Sequence, residues 1–184
     1  ESQVKWITYI QDEAERMKSL VEDLLFLARS DDRRSPLRLQ TVSFSDLAWE
    51  ALLPFESVAF EAGVALDSQI TPDLELLGDP EQLRRLVAIL VDNAVKYSPA
   101  GGTIEASLGE REGRVRFVIR NGGAPILPAD LPRVFEPFYR AGNGGGESGH
   151  GVGLALARRI VALHGGEITV ESGETEGTAF TVTL

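Results

Sequence analysis

The stretch DPEQLRRLVAILVDNAVKYSP, Asp79 to Pro99, is the most informative part of this chain. Its first four residues combine an N-cap aspartate, a proline at the first helical position, and Gln82 three residues after the cap, where a glutamine completes a capping box. A helix is therefore predicted from Asp79 to about Tyr97, stopped by Ser98-Pro99-Ala100-Gly101-Gly102. Near its end Asn93 and Lys96 are three residues apart and share a face. That spacing sets an oxygen donor suited to Mg2+ beside a cation suited to phosphate, although a solvated helix end explains the same pair. One turn before Asn93 stands Ile89, apolar where a hydrolase would carry a base.

On either side of this helix the pattern alternates strand and helix. Leu37 to Phe44 reads as a short strand, and Ser45 to Ala62 carries helical spacing with a kink expected at Pro54. Val64, Leu66, Ser68 and Ile70 alternate as a strand. Thr103 to Leu108 and Arg114 to Arg120 read as a hairpin, Val152 to Leu163 as a short apolar helix, and Glu167 to Glu171 with Gly177 to Leu184 as a closing hairpin. The expected fold class is α/β (α+β): a two-layer sandwich with one mixed sheet covered by helices on one face. It is preceded by one long helix, in which Ile7, Ile10, Ala14, Met17, Val21, Leu24 and Ala28 form a heptad seam. Leu20, Leu25 and Leu27 broaden that seam, so the helix is expected to need partner helices. The expected division is residues 1–32 as this helix, 33–37 as a linker closed by Pro36, and 38–184 as one domain.

Composition narrows the chemistry. The 184 residues are 43% hydrophobic and 25% charged, as in a globular protein, and no apolar run approaches the roughly 20 residues that span a bilayer. There is no cysteine, which removes disulfides, thiol nucleophiles and Cys-ligated zinc and fits a cytosolic address. A net charge of -10 argues against a nucleic-acid partner and requires any polyanionic ligand to be held by a local site. Residue 1 is Glu and already lies inside the helical pattern, so the chain is expected to be part of something longer. Seven of the 19 glycines fall between Gly142 and Gly153. The run Gly149-His150-Gly151-Val152-Gly153-Leu154 leads straight into a helix, where main-chain N–H groups and the positive dipole end suit phosphate. It lacks the Lys-Ser/Thr ending of a P-loop, and no strand immediately precedes it as a Rossmann turn requires.

Taken in order, these segments resemble the motifs of sensor histidine kinases. Leu90 to Pro99 resembles the N box, Phe135-Glu136-Pro137-Phe138-Tyr139-Arg140 the F box, and Gly149 to Leu154 the second glycine box. Leu163-His164-Gly165-Gly166 and Glu176-Gly177-Thr178-Ala179-Phe180 also match, and Glu13 to Arg29 resembles the second helix of the family's dimerisation and phosphotransfer bundle. The resemblance implies a Bergerat-type ATP-binding fold and a catalytic domain that passes the γ-phosphoryl group of ATP to a histidine. By this likeness Asn93 would coordinate Mg2+, Lys96 and Arg140 would contact phosphate, and these three would be the catalytic side chains. Tyr97, Gly123, Ile126, Leu154 and Thr178 would line the nucleotide pocket, and Gly149, Gly151 and Gly153 would hold the phosphates. Phe138 to His150 would be a lid, expected to be disordered without nucleotide because five glycines make it costly to order. The implied partners are the histidine-bearing helix of the same kinase, a response regulator and a second copy through the first helix. The implied location is the cytoplasmic side of a membrane-anchored bacterial sensor.

Two departures qualify the likeness. Where the family has Asp-x-Gly-x-Gly, this chain has Asn121-Gly122-Gly123-Ala124-Pro125. An aspartate accepts a hydrogen bond from the adenine amino group, whereas Asn121 can offer either an acceptor or a donor, so weaker discrimination of ATP from GTP is expected. No segment resembling His-Glu-Leu-Arg-Thr-Pro is present; of the two histidines, His150 lies in the glycine box and His164 is expected to support a helix C-terminus. Ile89 cannot take a proton from water, which favours transfer over hydrolysis. A serine kinase of anti-sigma-factor type shares the fold, but the heptad helix speaks against it. The altered box leaves open a non-catalytic module that signals by dimerising.

Overall fold

The computed structural model describes residues 2–31, 37–141 and 150–184. The chain divides into two compact units, Glu1–Ser35 and Pro36–Leu184. The first is the helix α1 (Ser2–Asp31), on which Trp6, Ile7, Ile10, Met17, Val21 and Leu25 are exposed. Most of the expected seam is thus exposed.

In the second unit α2 (Phe44–Glu61), α3 (Pro80–Tyr97) and α4 (Gly153–Leu163) cover one face of a five-stranded sheet. The strands are β2 (Ala65–Ile70), β4 (Thr103–Arg111), β5 (Arg114–Asn121), β6 (Glu167–Gly173) and β7 (Gly177–Thr183), in the order β2-β4-β5-β7-β6. β2 and β4 are parallel and every other pair is antiparallel, which is the expected mixed sheet. Period-two alternation sends Ile104, Ala106, Leu108, Phe117, Ile119, Phe180 and Val182 to the helix side. Phe44 of α2 meets Phe117 edge to face at 6.3 Å. The β4–β5 turn puts Glu112 and Gly113 at φ of 56° and 73°, the pair of positive torsions that a two-residue hairpin of right-handed twist requires.

The helix ends follow from local chemistry. Asp79 Oδ1 accepts from the N–H groups of Glu81 and Gln82, Pro80 follows the cap, and Leu83, Leu86, Val87, Leu90, Val91 and Ala94 form the buried stripe of α3. Pro99 forces Ser98 into an extended conformation and stops the helix. α4 closes with Gly165 at φ 71°, its N–H bonding Ala162 O while Gly166 N–H bonds Val161 O, the paired bonds of a left-handed glycine cap.

Three expectations need correction. The strand expected over 37–44 is β1 (Gln40–Ser43), and it lies outside the main sheet, paired antiparallel with β3 (Glu75–Gly78), which the sequence reading missed. The capping box is only half made: Gln82 Oε1 is buried without a partner, and the Asp79 N–H that it would have reached donates instead to His164 Nε2 at 3.0 Å. α4 begins at Gly153 rather than Val152. α2 runs through Pro54 as one element.

Candidate nucleotide-binding site

The last turns of α3 carry Ile89, Asn93, Lys96 and Tyr97. Asn93 is half-buried, Tyr97 is 44% exposed, and Lys96 Nζ lies 2.5 Å from Asp92 Oδ2 in a surface ion pair one helical turn long. Such exposed pairs are worth only about 0–1 kcal/mol, so Lys96 can exchange Asp92 for another anion at little cost. Ile89 is the seat of the next element: a Cβ added to Gly153 would lie 3.4 Å from Ile89 Cγ2, so α4 starts one helical turn from Asn93 along α3.

That start has donors that an anion could use. Val152, the residue before α4, supplies no side-chain cap, which leaves the first N–H groups of the helix without a side-chain acceptor from the cap position. Gly151 stands at φ 68°, and a Cβ there would approach the Cα of Phe138 and the carbonyl of Tyr139 at 3.0 Å. Leu154 is half-buried in the first turn. Gly149 and most of the expected lid, with its expected disorder, lie outside the described residues.

A second wall comes from the ends of β5 and β7. Asn121, only 3% exposed, donates from Nδ2 to Gly122 O at 2.6 Å, which orients its carboxamide and leaves Oδ1 as the acceptor on the other side. Gly123, at φ 128°, passes so close to α3 that a Cβ would lie 2.3 Å from Tyr97 O. Thr178 pairs across the sheet with Asn121 and is buried, its hydroxyl 2.7 Å from Ser172 Oγ, which also accepts from Ile126 N–H at 2.9 Å. Through Ser172, Thr178 thus helps hold the loop that carries Gly123 and Ile126. Ser172 is the residue missed here, and a polar side chain at an inward strand position was its signal.

Downstream, a 3₁₀ turn (Leu131–Arg133) leads to Phe135, which packs edge to face on Phe180 at 6.2 Å. Tyr139 Oη donates to Asp130 Oδ1 at 2.5 Å. This bond, then burial and the carboxylate's charge, holds the phenol above its ordinary range. A raised folded value means that the contribution is intact below the ordinary phenol pKa and lost only as pH rises through the folded one, so it persists at neutral pH. Arg140, exposed, follows immediately.

Residues 78–184 match the histidine kinase-, DNA gyrase B-, and HSP90-like ATPase family. The chain belongs to that family. Sensor histidine kinase CusS of Escherichia coli K12 is 34% identical over 175 residues, covering 94% of this chain and 36% of CusS. Full-length ShkA, solved in complex with AMPPNP, is 27% identical with a TM-score of 0.85 over 100% of this chain and 38% of its own. The mycobacterial sensor histidine kinase MprB is 28% identical with a TM-score of 0.70, over 79% of this chain and 96% of its own. The relatives are thus sensor histidine kinases, and the fold is that of their ATP-binding catalytic domain. The chain spans little more than a third of the length of CusS. Among the described residues no helix is long and apolar enough to cross a membrane.

Within this ATPase-family domain the histidines have distinct settings. His150 is exposed beside Gly151. His164 supports the end of α4 as expected, Nδ1 donating to Ile160 O at 2.8 Å, but it also reaches the start of α3 through Asp79 N–H. Asp79 Oδ2 in turn accepts from Arg38 N–H at 2.9 Å. The ring is thereby fixed as the Nδ1–H tautomer, and it ties together the two helices that flank the site. His164→Ala should strand the Asp79 N–H, at a cost of about 1–3 kcal/mol. Thermal denaturation should register a Tm fall of about 4–10 °C, and an unchanged Tm would mean that another group satisfies the donor.

Proposed function

We propose that this chain is the ATP-handling part of a sensor histidine kinase and transfers the γ-phosphoryl group to a histidine that is neither His150 nor His164. The observation that carries this reading is the packing of Gly153 on Ile89, which brings an uncapped helix start next to the face bearing Asn93 and Lys96. Phosphates held at the α4 start would then meet Lys96, released from Asp92, and Arg140 from the F box. The adenine would lie against Tyr97 and Gly123, with Asn121 Oδ1 accepting from its amino group. The AMPPNP held by ShkA supports a nucleoside triphosphate as ligand.

Magnesium fits the donor set in a limited way. Among the described residues no group of three or more His, Cys, Asp or Glu could hold a metal, so the ion would be held by Asn93 together with the nucleotide's own oxygens and water. When bound, it neutralises charge on the phosphates. The protein's own share is positioning: Asn93, Lys96 and Arg140 fix the triphosphate, and Ile89 offers no base to activate water, so transfer to an oriented imidazole outruns hydrolysis. The exposed seam of α1 supports pairing with a second copy in a helical bundle, where the phosphoaccepting histidine and the docking surface for a response regulator would lie, on the cytoplasmic side of a membrane-anchored sensor.

Calorimetric titration with Mg-ATP tests the reading, with saturable binding at sub-millimolar nucleotide expected. No binding at millimolar nucleotide would support the non-catalytic alternative. The same assay with GTP tests base discrimination. The Asn121 acceptor is neutral, whereas a carboxylate acceptor is worth about 1 kcal/mol more. Asn121→Asp, for which the Gly122 carbonyl must turn away, is expected to raise the ATP to GTP affinity ratio about fivefold. Equal ratios in the two proteins would refute this role for Asn121.

A further inference from the structure

Tyr139 is held more firmly than its surface position requires. Its hydroxyl is bound to Asp130, and the Arg133 guanidinium lies over the ring at 4.0 Å from the centroid. Arg133 is itself oriented by Glu136, with Nε 3.3 Å from Oε2. The ring is therefore fixed at its tip and across one face.

The backbone just before it is fixed as well. Phe138 N–H donates to Gly151 O at 2.8 Å, which joins the F box to the glycine box. Phe138 has φ 65°, a left-handed torsion that costs a residue with a Cβ roughly 1–2 kcal/mol. Packing does not hold it there, because Phe138 is 62% exposed. Strain of this kind persists only where neighbouring contacts over-determine the conformation, and it concentrates at functional sites. The contacts here are the Gly151 bond on one side and the Tyr139 bracket on the other. The residue that emerges from this doubly fixed segment is Arg140.

We infer that Tyr139 is a positioning residue that, through Asp130 and Arg133, sets the backbone from which Arg140 reaches the phosphates of the nucleotide. This rests on the reading of Arg140 as a phosphate contact. Tyr139→Phe keeps the ring and its cation contact but loses the bond to Asp130, so ATP affinity should fall about tenfold or more, as for loss of a hydrogen bond to a charged group. Adenosine, which has no phosphate, should bind as it does to the wild type. Asp130→Asn keeps a neutral acceptor and should lose only part of this affinity, whereas Asp130→Ala should repeat the full loss.

Titration of ATP and adenosine into Tyr139→Phe, Arg140→Ala and the double variant, with Tm recorded for each, decides the matter. The double variant should bind ATP no more weakly than Arg140→Ala alone, because Tyr139 acts through the arginine. Additive losses, or equal weakening of ATP and adenosine, would reduce Tyr139 to a brace of the fold and overturn the inference. Wild-type affinity in Tyr139→Phe alongside weakened Arg140→Ala would overturn it while leaving the Arg140 assignment standing. Wild-type affinity in Arg140→Ala would remove that assignment and the inference together.

Discussion

Asn93→Ala is expected to lower phosphoryl transfer by about 100-fold or more while leaving the fold intact. The fold should survive because Asn93 is only half-buried on α3, the core stripe runs through Leu86, Leu90 and Ala94, and alanine is the better helix former. Activity should not survive, because the proposed site offers the metal no acidic cluster among the described residues, and the carboxamide would be its protein ligand. The two effects separate experimentally. Circular dichroism and Tm should match the wild type, while Mg-dependent ATP binding and transfer collapse. A variant that binds Mg-ATP and transfers phosphate at wild-type rates would remove Asn93 from the metal role.

Gly123→Ala should have the next largest effect. At φ 128° the torsion alone costs a residue with a Cβ about 1–3 kcal/mol, and the added carbon would lie 2.3 Å from Tyr97 O, too close for any contact. Either the end of α3 or the 122–125 loop must move. Because Gly123 is exposed, the loop can give way without opening the core, so the Tm should fall by about 4–10 °C, as the torsional cost implies, without loss of the fold. The loop is nevertheless one wall of the proposed pocket, tied down through Asn121 to Gly122 and through Ile126 to Ser172. Displacing it should weaken ATP binding more than about tenfold, since misplacing site groups by an ångström costs far more than it does in a passive loop. Gly113→Ala is the control: φ is 73° with nothing within 4 Å, so it pays the torsional cost alone and should bind ATP normally. Similar ATP affinity in the two variants would contradict the placement of this wall.

What the sequence disclosed and what it withheld divide along the distance over which each interaction acts. The α3 boundaries were legible because their causes are local: the Asp79 cap, Pro80 at the first turn, and Pro99 at the stop. The hairpins and α4 were legible for the same reason, since alternation and glycine caps are written in neighbouring residues. β3 was not, because four residues between two turns become a strand only by pairing with β1 across the whole of α2. Gln82 had the spacing of a capping box, but an imidazole 85 positions along the chain from Asp79 took its place. Of the site, the motif residues could be named in order. The side chains that hold them, Ser172 under the Ile126 loop and Asp130 against Tyr139, required the fold. Lys96 was assigned to phosphate through the family likeness, and the structure adds its ion pair with Asp92.

The most direct test of the central claim is a transfer assay with γ-labelled ATP and magnesium, run on this chain alone and again with a separate histidine-bearing helical bundle from a sensor kinase relative such as CusS. Label should appear only on the added bundle, in the acid-labile, base-stable form of a phosphohistidine, and should be absent when Asn93→Ala replaces the wild type. Label on this chain alone, or none on a bundle that its own kinase domain does phosphorylate, would contradict the account.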